Sequence, residues 1–127
     1  MARVFIALNR EDVETLRDQG IVPLERTRDF QAFTSTDQWR QFQPDQDEEV
    51  LADEILQLCA AQGTGFVVVV ELDDSQFNVG DEQAGRVALT DSLSRSLAVA
   101  YFLITDSAEA LWFGPSELAQ LLSQPKF

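Results

Sequence analysis

The sequence predicts an α+β domain: a single mixed or antiparallel sheet of about five strands, with helices packed mainly on one face. Three observations carry this expectation. Strand-like and helix-like runs alternate through the first half of the chain. Two further strand-like runs, Arg86–Thr90 and Ser96–Thr105, lie close together late in the chain, with too little between them for a parallel crossover helix. The 127 residues, 45% of them apolar, suffice for one core, so residues 1–127 are read as a single globular domain.

Arg3–Leu8 (RVFIAL) is a nearly continuous apolar run and reads as a strand buried on both faces. Asn9 is placed to cap a following helix, with Glu11 and Asp12 in its electropositive first turn. Val13 and Leu16 share a face of that helix, and Gly20 stops it, because glycine enters the left-handed conformation cheaply. Ile21-Val22-Pro23 breaks the pattern, and Glu25–Asp29 reads as a charged connection. Phe30–Thr34 reads as a short second strand. Ser35 and Gln38 have capping-box spacing, which predicts a short helix carrying Trp39 and Phe42 and ending at Pro44.

Asp45–Gln62 is the clearest helix, with Leu51, Ile55, Leu58 and Cys59 on one apolar stripe and Glu49, Asp53 and Gln57 opposite. Gly63 closes it. Phe66–Leu72 (FVVVVEL) is the strongest strand, since four valines suit a central position. Asp73-Asp74-Ser75 turns the chain, and Gln76–Gly85 reads as a loop or ragged edge. Asp106 with Glu109 repeats the capping-box spacing and predicts a short helix through Trp112. A final helix spans Ser116–Ser123, with Leu118, Leu121 and Leu122 inward.

The charge is unevenly distributed. Residues 1–44 carry seven acids and six arginines, whereas Asp45–Phe127 carries fifteen acids and three basic residues, so nearly all of the net charge of −13 lies in the second segment. Nucleic acids and anionic membranes bind through released counterions and need Lys or Arg, so neither is an expected partner. The longest apolar runs, Phe66–Val70 and Leu97–Ile104, fall far short of a bilayer span, and MARVFIALNRED lacks a signal-peptide layout. With Cys59 alone, no intrachain disulfide forms, and the expected location is cytoplasmic.

Much reactive chemistry is missing. There is no histidine, which removes Ser–His and Cys–His nucleophile pairs, the commonest general base and the commonest zinc ligand. Cys59 sits on an apolar stripe and reads as a structural thiol. Gly63-Thr64-Gly65 precedes a strand and no lysine follows, so it is not a phosphate-cradling loop. Asp73/Asp74 and Asp81/Glu82 are carboxylate pairs, but Val79 stands where a calcium loop starting at Asp74 needs glycine. No catalytic residue, cofactor or metal is expected.

Two constellations remain. Asp45–Glu54 (DQDEEVLADE) holds six acids and no base: Asp45, Asp47, Glu48, Glu49, Asp53 and Glu54. Such a face suits an electropositive protein partner, or is simply solvated. Arg26, Arg28 and Arg40 gather near Phe30, Phe33 and Trp39, which suits a small anion or a stacked base. Alternatively they pair with the chain's own surplus acids.

The order RVFIAL, AFTSTDQWRQF, DQDEEVLADEIL, VVVVEL and VALTDSLSRSLAVAYFLITDS resembles a family of short, uncharacterised actinobacterial proteins, over roughly residues 3–107. The resemblance implies a bacterial cytoplasmic single-domain protein. It implies no activity and no site residues. The expected function is non-catalytic, through protein–protein contacts, with a homodimer left open. The alternatives are a nucleic-acid mimic that inhibits a protein with a basic cleft, and a histidine-free enzyme or anion binder using Arg26, Arg28 and Arg40.

Overall fold

Two seven-residue strands, β1 (Ala2–Leu8) and β4 (Phe66–Leu72), pair antiparallel along their whole length, from Ala2↔Leu72 to Leu8↔Phe66. The computed structural model describes residues 2–43, 47–105 and 109–123. Around the central pair the chain adds α1 (Arg10–Gln19), β2 (Ile21–Val22), α2 (Leu24–Thr27), β3 (Ala32–Phe33), α3 (Asp37–Gln41) and α4 (Glu48–Ala60) before β4. After it come β5 (Phe77–Val79), β6 (Arg86–Leu89), β7 (Leu93–Ser94), β8 (Ala98–Ile104), β9 (Ala110–Phe113) and α5 (Leu118–Leu122). The main sheet runs β5-β6-β3-β1-β4-β8-β9, and β2 and β7 form a separate two-stranded ribbon. Every pairing is antiparallel.

The α+β class and the antiparallel sheet are as expected. The sheet has seven strands rather than about five, and helices cover both of its faces. Alternation along β1 shows why. Val4, Ile6 and Leu8 join α1, α5 and the small ribbon in one core, whereas Phe5 faces Trp39 and α4 in a second. A strand apolar at consecutive positions needs cover on both sides. On the second face, α4 buries Leu51, Ile55, Leu56 and Cys59. Each large side chain there contributes about 1.5–3 kcal/mol of transfer free energy, more than the helix's intrinsic propensity supplies.

Local signals explain most boundaries. Asn9 Oδ1 accepts from Asp12 N at 2.9 Å, and Gly20 ends α1 at φ 76°. Asp47 caps α4, its side chain accepting from Glu49 N at 2.9 Å, so the helix begins at Glu48. The cap of α3 is Thr36, not Ser35: its Oγ1 accepts from Trp39 N at 3.2 Å and donates to the Glu82 carbonyl, tying α3 to the turn before β6. Of the two aromatics expected on this helix, Trp39 is buried and Phe42 is exposed.

Three further expectations change. Ala110–Phe113 is a strand and not the end of a helix, because hairpin pairing with β8 (Leu103↔Leu111, Phe102↔Trp112) offers these apolar residues a sheet to join. The segment read as a loop, Gln76–Gly85, contains β5, held by Phe77↔Leu89 and Val79↔Val87. The charged connection Glu25–Asp29 begins within the single helical turn of α2. Between Val69 and Val70 the β4–β8 register slips. This irregularity lets Val99 and Ala100 both pack against the second core.

Candidate functional site

Helix α4 lies over β1, β3 and β4 and leaves the adjoining face of β8 and β9 only partly covered. Val99, Phe102, Ile104 and Ala110 are half-buried there, and Trp112 is 61% exposed, unusually open for so large an apolar side chain. The gap is a groove of about 410 Å³ lined by Arg3, Phe5, Leu56, Phe102 and Trp112, with Glu49 and Asp53 of α4 on its wall. A second depression of about 260 Å³ adjoins the first turns of the same helix and shares Arg3, Phe5, Glu49 and Ala52. Together they form an apolar trough around the N-terminal half of α4.

The helix period explains the acidic wall. Glu49 and Asp53 stand four residues apart, so they share a face, and that face is the one beside the trough. Arg3, on β1, is the cation within it; its Nε lies 3.6 Å from Glu71 Oε1, and both side chains are well exposed. Like charges at helical spacing repel mildly, and both carboxylates are exposed, so solvent screens that repulsion.

The six acids singled out from sequence therefore separate. Asp45 lies outside the described residues. Asp47 is the helix cap, and Glu48 pairs with Arg40 at 2.5 Å. Glu49 and Asp53 line the trough, while Glu54 is exposed and lines neither depression.

The three arginines are not brought together. Arg40 belongs to the α4 side through its bond to Glu48. Arg26 belongs to the opposite side, where its Nε donates to Asp12 Oδ1 at 2.6 Å, a bond that raises the arginine's pKa above its ordinary value. Asp12 is buried in the first turn of α1, so this contact satisfies a carboxylate that would otherwise be stranded. Arg26 does line a small cavity, about 200 Å³, with Asn9, Asp12, Asp29 and Gln31, but two carboxylates share it. Arg28 is exposed and lines no depression described here.

A roomier depression, about 570 Å³, is a shallow open surface around Ser94, Arg95, Ser96 and Ser116. Its one guanidinium is anchored, Arg95 Nη1 donating to the Arg17 carbonyl at 2.7 Å, so size alone does not make it the better site. Among the described residues no group of three or more Cys, Asp or Glu is placed to hold a metal, and no helix is long and apolar enough to cross a membrane. Cys59 is buried with its thiol 3.2 Å from the Phe5 carbonyl, and burial pushes its pKa up to about 12, so it is a packing residue in the helix–sheet interface.

Sequence reasoning placed acids on α4 and offered Trp112-Phe113, before Gly114-Pro115, as an exposed anchor, a core element or a self-association surface, but it did not bring the two features together. The available signal was Ala110-Leu111-Trp112-Phe113, four uncharged residues ending in two aromatics. The potential at this floor is measurable through Trp112, since the only other tryptophan, Trp39, is buried. Acidic surfaces carry potentials of a few kT, which deplete anions locally. Iodide is therefore expected to quench Trp112 about twofold less well, relative to neutral acrylamide, than it quenches a free indole. The deficit narrows in the Glu49→Gln, Asp53→Asn double variant; an unchanged ratio shows that these two carboxylates do not set the potential.

Compared with known proteins, the chain matches no protein-family model, no curated protein and no solved structure.

Proposed function

We propose that this is a non-catalytic bacterial cytoplasmic domain that acts by binding another protein, and that its ligand is a basic segment with apolar anchors. The observation that supports this most is the juxtaposition of Phe102 and Trp112 on the floor with Glu49 and Asp53 on the wall. Aromatics supply desolvation energy at the centre of an interface, and charges on its rim steer the partner and select its sign. A partner carrying Lys or Arg beside Leu, Val or aromatic residues matches both features. A nucleic-acid mimic would instead need its carboxylates on a polar ground, and the exposed tryptophan argues for a peptide.

The test uses two synthetic peptides with the same apolar residues, one rich in Lys and the other in Glu. The basic peptide is expected to bind at low salt and to weaken at least about tenfold at 0.5 M salt, where the screening length falls to a few ångströms. Reversing the wall with Glu49→Lys and Asp53→Lys abolishes that binding and confers affinity for the acidic peptide. Equal binding of both peptides, or indifference to the reversal, removes the proposal.

A further inference from the structure

The trough ends at the edge of the sheet, and among the described residues that edge is chemically unguarded. Strand β9 is terminal in the strand order, and its residues Ala110–Phe113 include no charge, proline or glycine. Soluble proteins usually protect such an edge with a lysine, a proline, an inward charge or a bulge, because its unpaired backbone groups template another strand. The described ladder between β8 and β9 is regular from Tyr101↔Phe113 to Ile104↔Ala110.

The orientation of the free groups follows from antiparallel alternation. Thr105 N donates to Glu109 O at 2.9 Å, so Glu109, Leu111 and Phe113 turn their backbone groups toward β8. Ile104 N is directed the other way, donating to Gly65 O at 2.9 Å, which agrees with a non-bonded pair at Ile104↔Ala110. Ala110 and Trp112 therefore direct their N–H and C=O groups outward. Trp112 uses its side chain to floor the trough and its backbone to line the edge.

Building on the reading of the trough as a site for a basic segment, we propose that this segment binds as an added β-strand along β9. Main-chain bonds to Ala110 and Trp112 would hold it, and alternate side chains would lie on the trough side, near the acids of α4. The occupant follows from charge. A second copy would bring another −13 to this face, whereas a Lys- or Arg-bearing strand meets Glu49 and Asp53 with opposite sign.

The experiment compares two Lys/Val peptides of identical composition, one alternating Lys and Val, the other permuted to helical spacing. The alternating peptide is expected to bind at least tenfold more tightly, and to slow hydrogen exchange at the Ala110 and Trp112 amides while leaving Leu111 unchanged. Ala110→Pro removes an outward N–H at the first residue of the strand without breaking the β8 ladder, so it should abolish binding while the melting temperature stays within a few degrees. If the variant does not fold, the exchange pattern of the wild-type protein decides. Binding of the alternating peptide without protection at Ala110 and Trp112 overturns strand addition but leaves the trough reading standing. Failure of every basic peptide at low salt overturns both. Self-association of the wild-type protein that Ala110→Pro abolishes assigns the edge to a second copy and overturns the basic occupant.

Discussion

Raising the pH from 9 to 12 is expected to remove several kcal/mol of folding stability, although the chain has no histidine and one lysine. Two buried groups are responsible. Burial lifts the Cys59 thiol from 9.0 to about 12, and lifts the Tyr101 hydroxyl, despite a nearby Arg95, from 10.0 to about 12. Both are neutral when protonated, so the folded state holds its protons longer than the unfolded one. Their contribution is complete below pH 9, falls as the unfolded chain ionises, and is lost by about pH 12. The thiol interval corresponds to about 4 kcal/mol, and the less completely desolvated phenol adds a smaller amount, set against a total stability of about 5–15 kcal/mol for a domain of this kind. Urea denaturation of the wild type and of a Cys59→Ala, Tyr101→Phe variant between pH 7 and 11.5 measures this directly. The variant's stability should change far less with pH. Parallel curves would show that general charge repulsion, and not these two groups, drives alkaline unfolding. Tyr101 adds a second signature: its hydroxyl is buried without a partner among the described residues, so removing it should leave stability at neutral pH unchanged or slightly raised.

Gly85→Ala is expected to cost about 3 kcal/mol, whereas Gly63→Ala costs about 1 kcal/mol. Both glycines occupy the left-handed region, at φ 71° and 75° respectively, so a side chain meets similar backbone strain at each. They differ in surroundings. A Cβ at Gly85 would lie 2.8 Å from the Thr34 carbonyl oxygen and 3.5 Å from the Trp39 ring, whereas one at Gly63 would have nothing within 4 Å. The Gly85 contact is with backbone, so it cannot be relieved by turning a side chain. It also lies where Thr34 N donates to Gly85 O at 2.8 Å, at the join between β3 and β6. Equal losses in thermal denaturation would mean that backbone strain alone accounts for both.

Where local chemistry decided an element, the sequence was a good guide. Helix α1 is bounded by Asn9 and Gly20, and β4 begins and ends where its apolar run does. Where pairing across the chain decided, it was not. Ala110–Phe113 follows a plausible helix cap, and only the presence of β8 makes it a strand. Strand β5 buries only Phe77, too little to rise above its polar neighbours. The second helical layer was implicit in reading RVFIAL as buried on both faces, since that requires cover on each side. The acids of α4 could be read as a face, but choosing Glu49 and Asp53 from among them required knowing where Trp112 falls.

The position of β1 at the middle of the sheet also shapes how the protein is made. Of the described strands it leaves the ribosome first, yet its full-length partner ends at Leu72. At about 5–20 residues per second, the nascent segment waits several seconds with its apolar side chains unmatched. Of the described strands β9 arrives last, and it is an edge, so the central pair can form before the sheet is complete. The β1–β4 ladder can thus be in place before β8 and β9 are added along its β4 side.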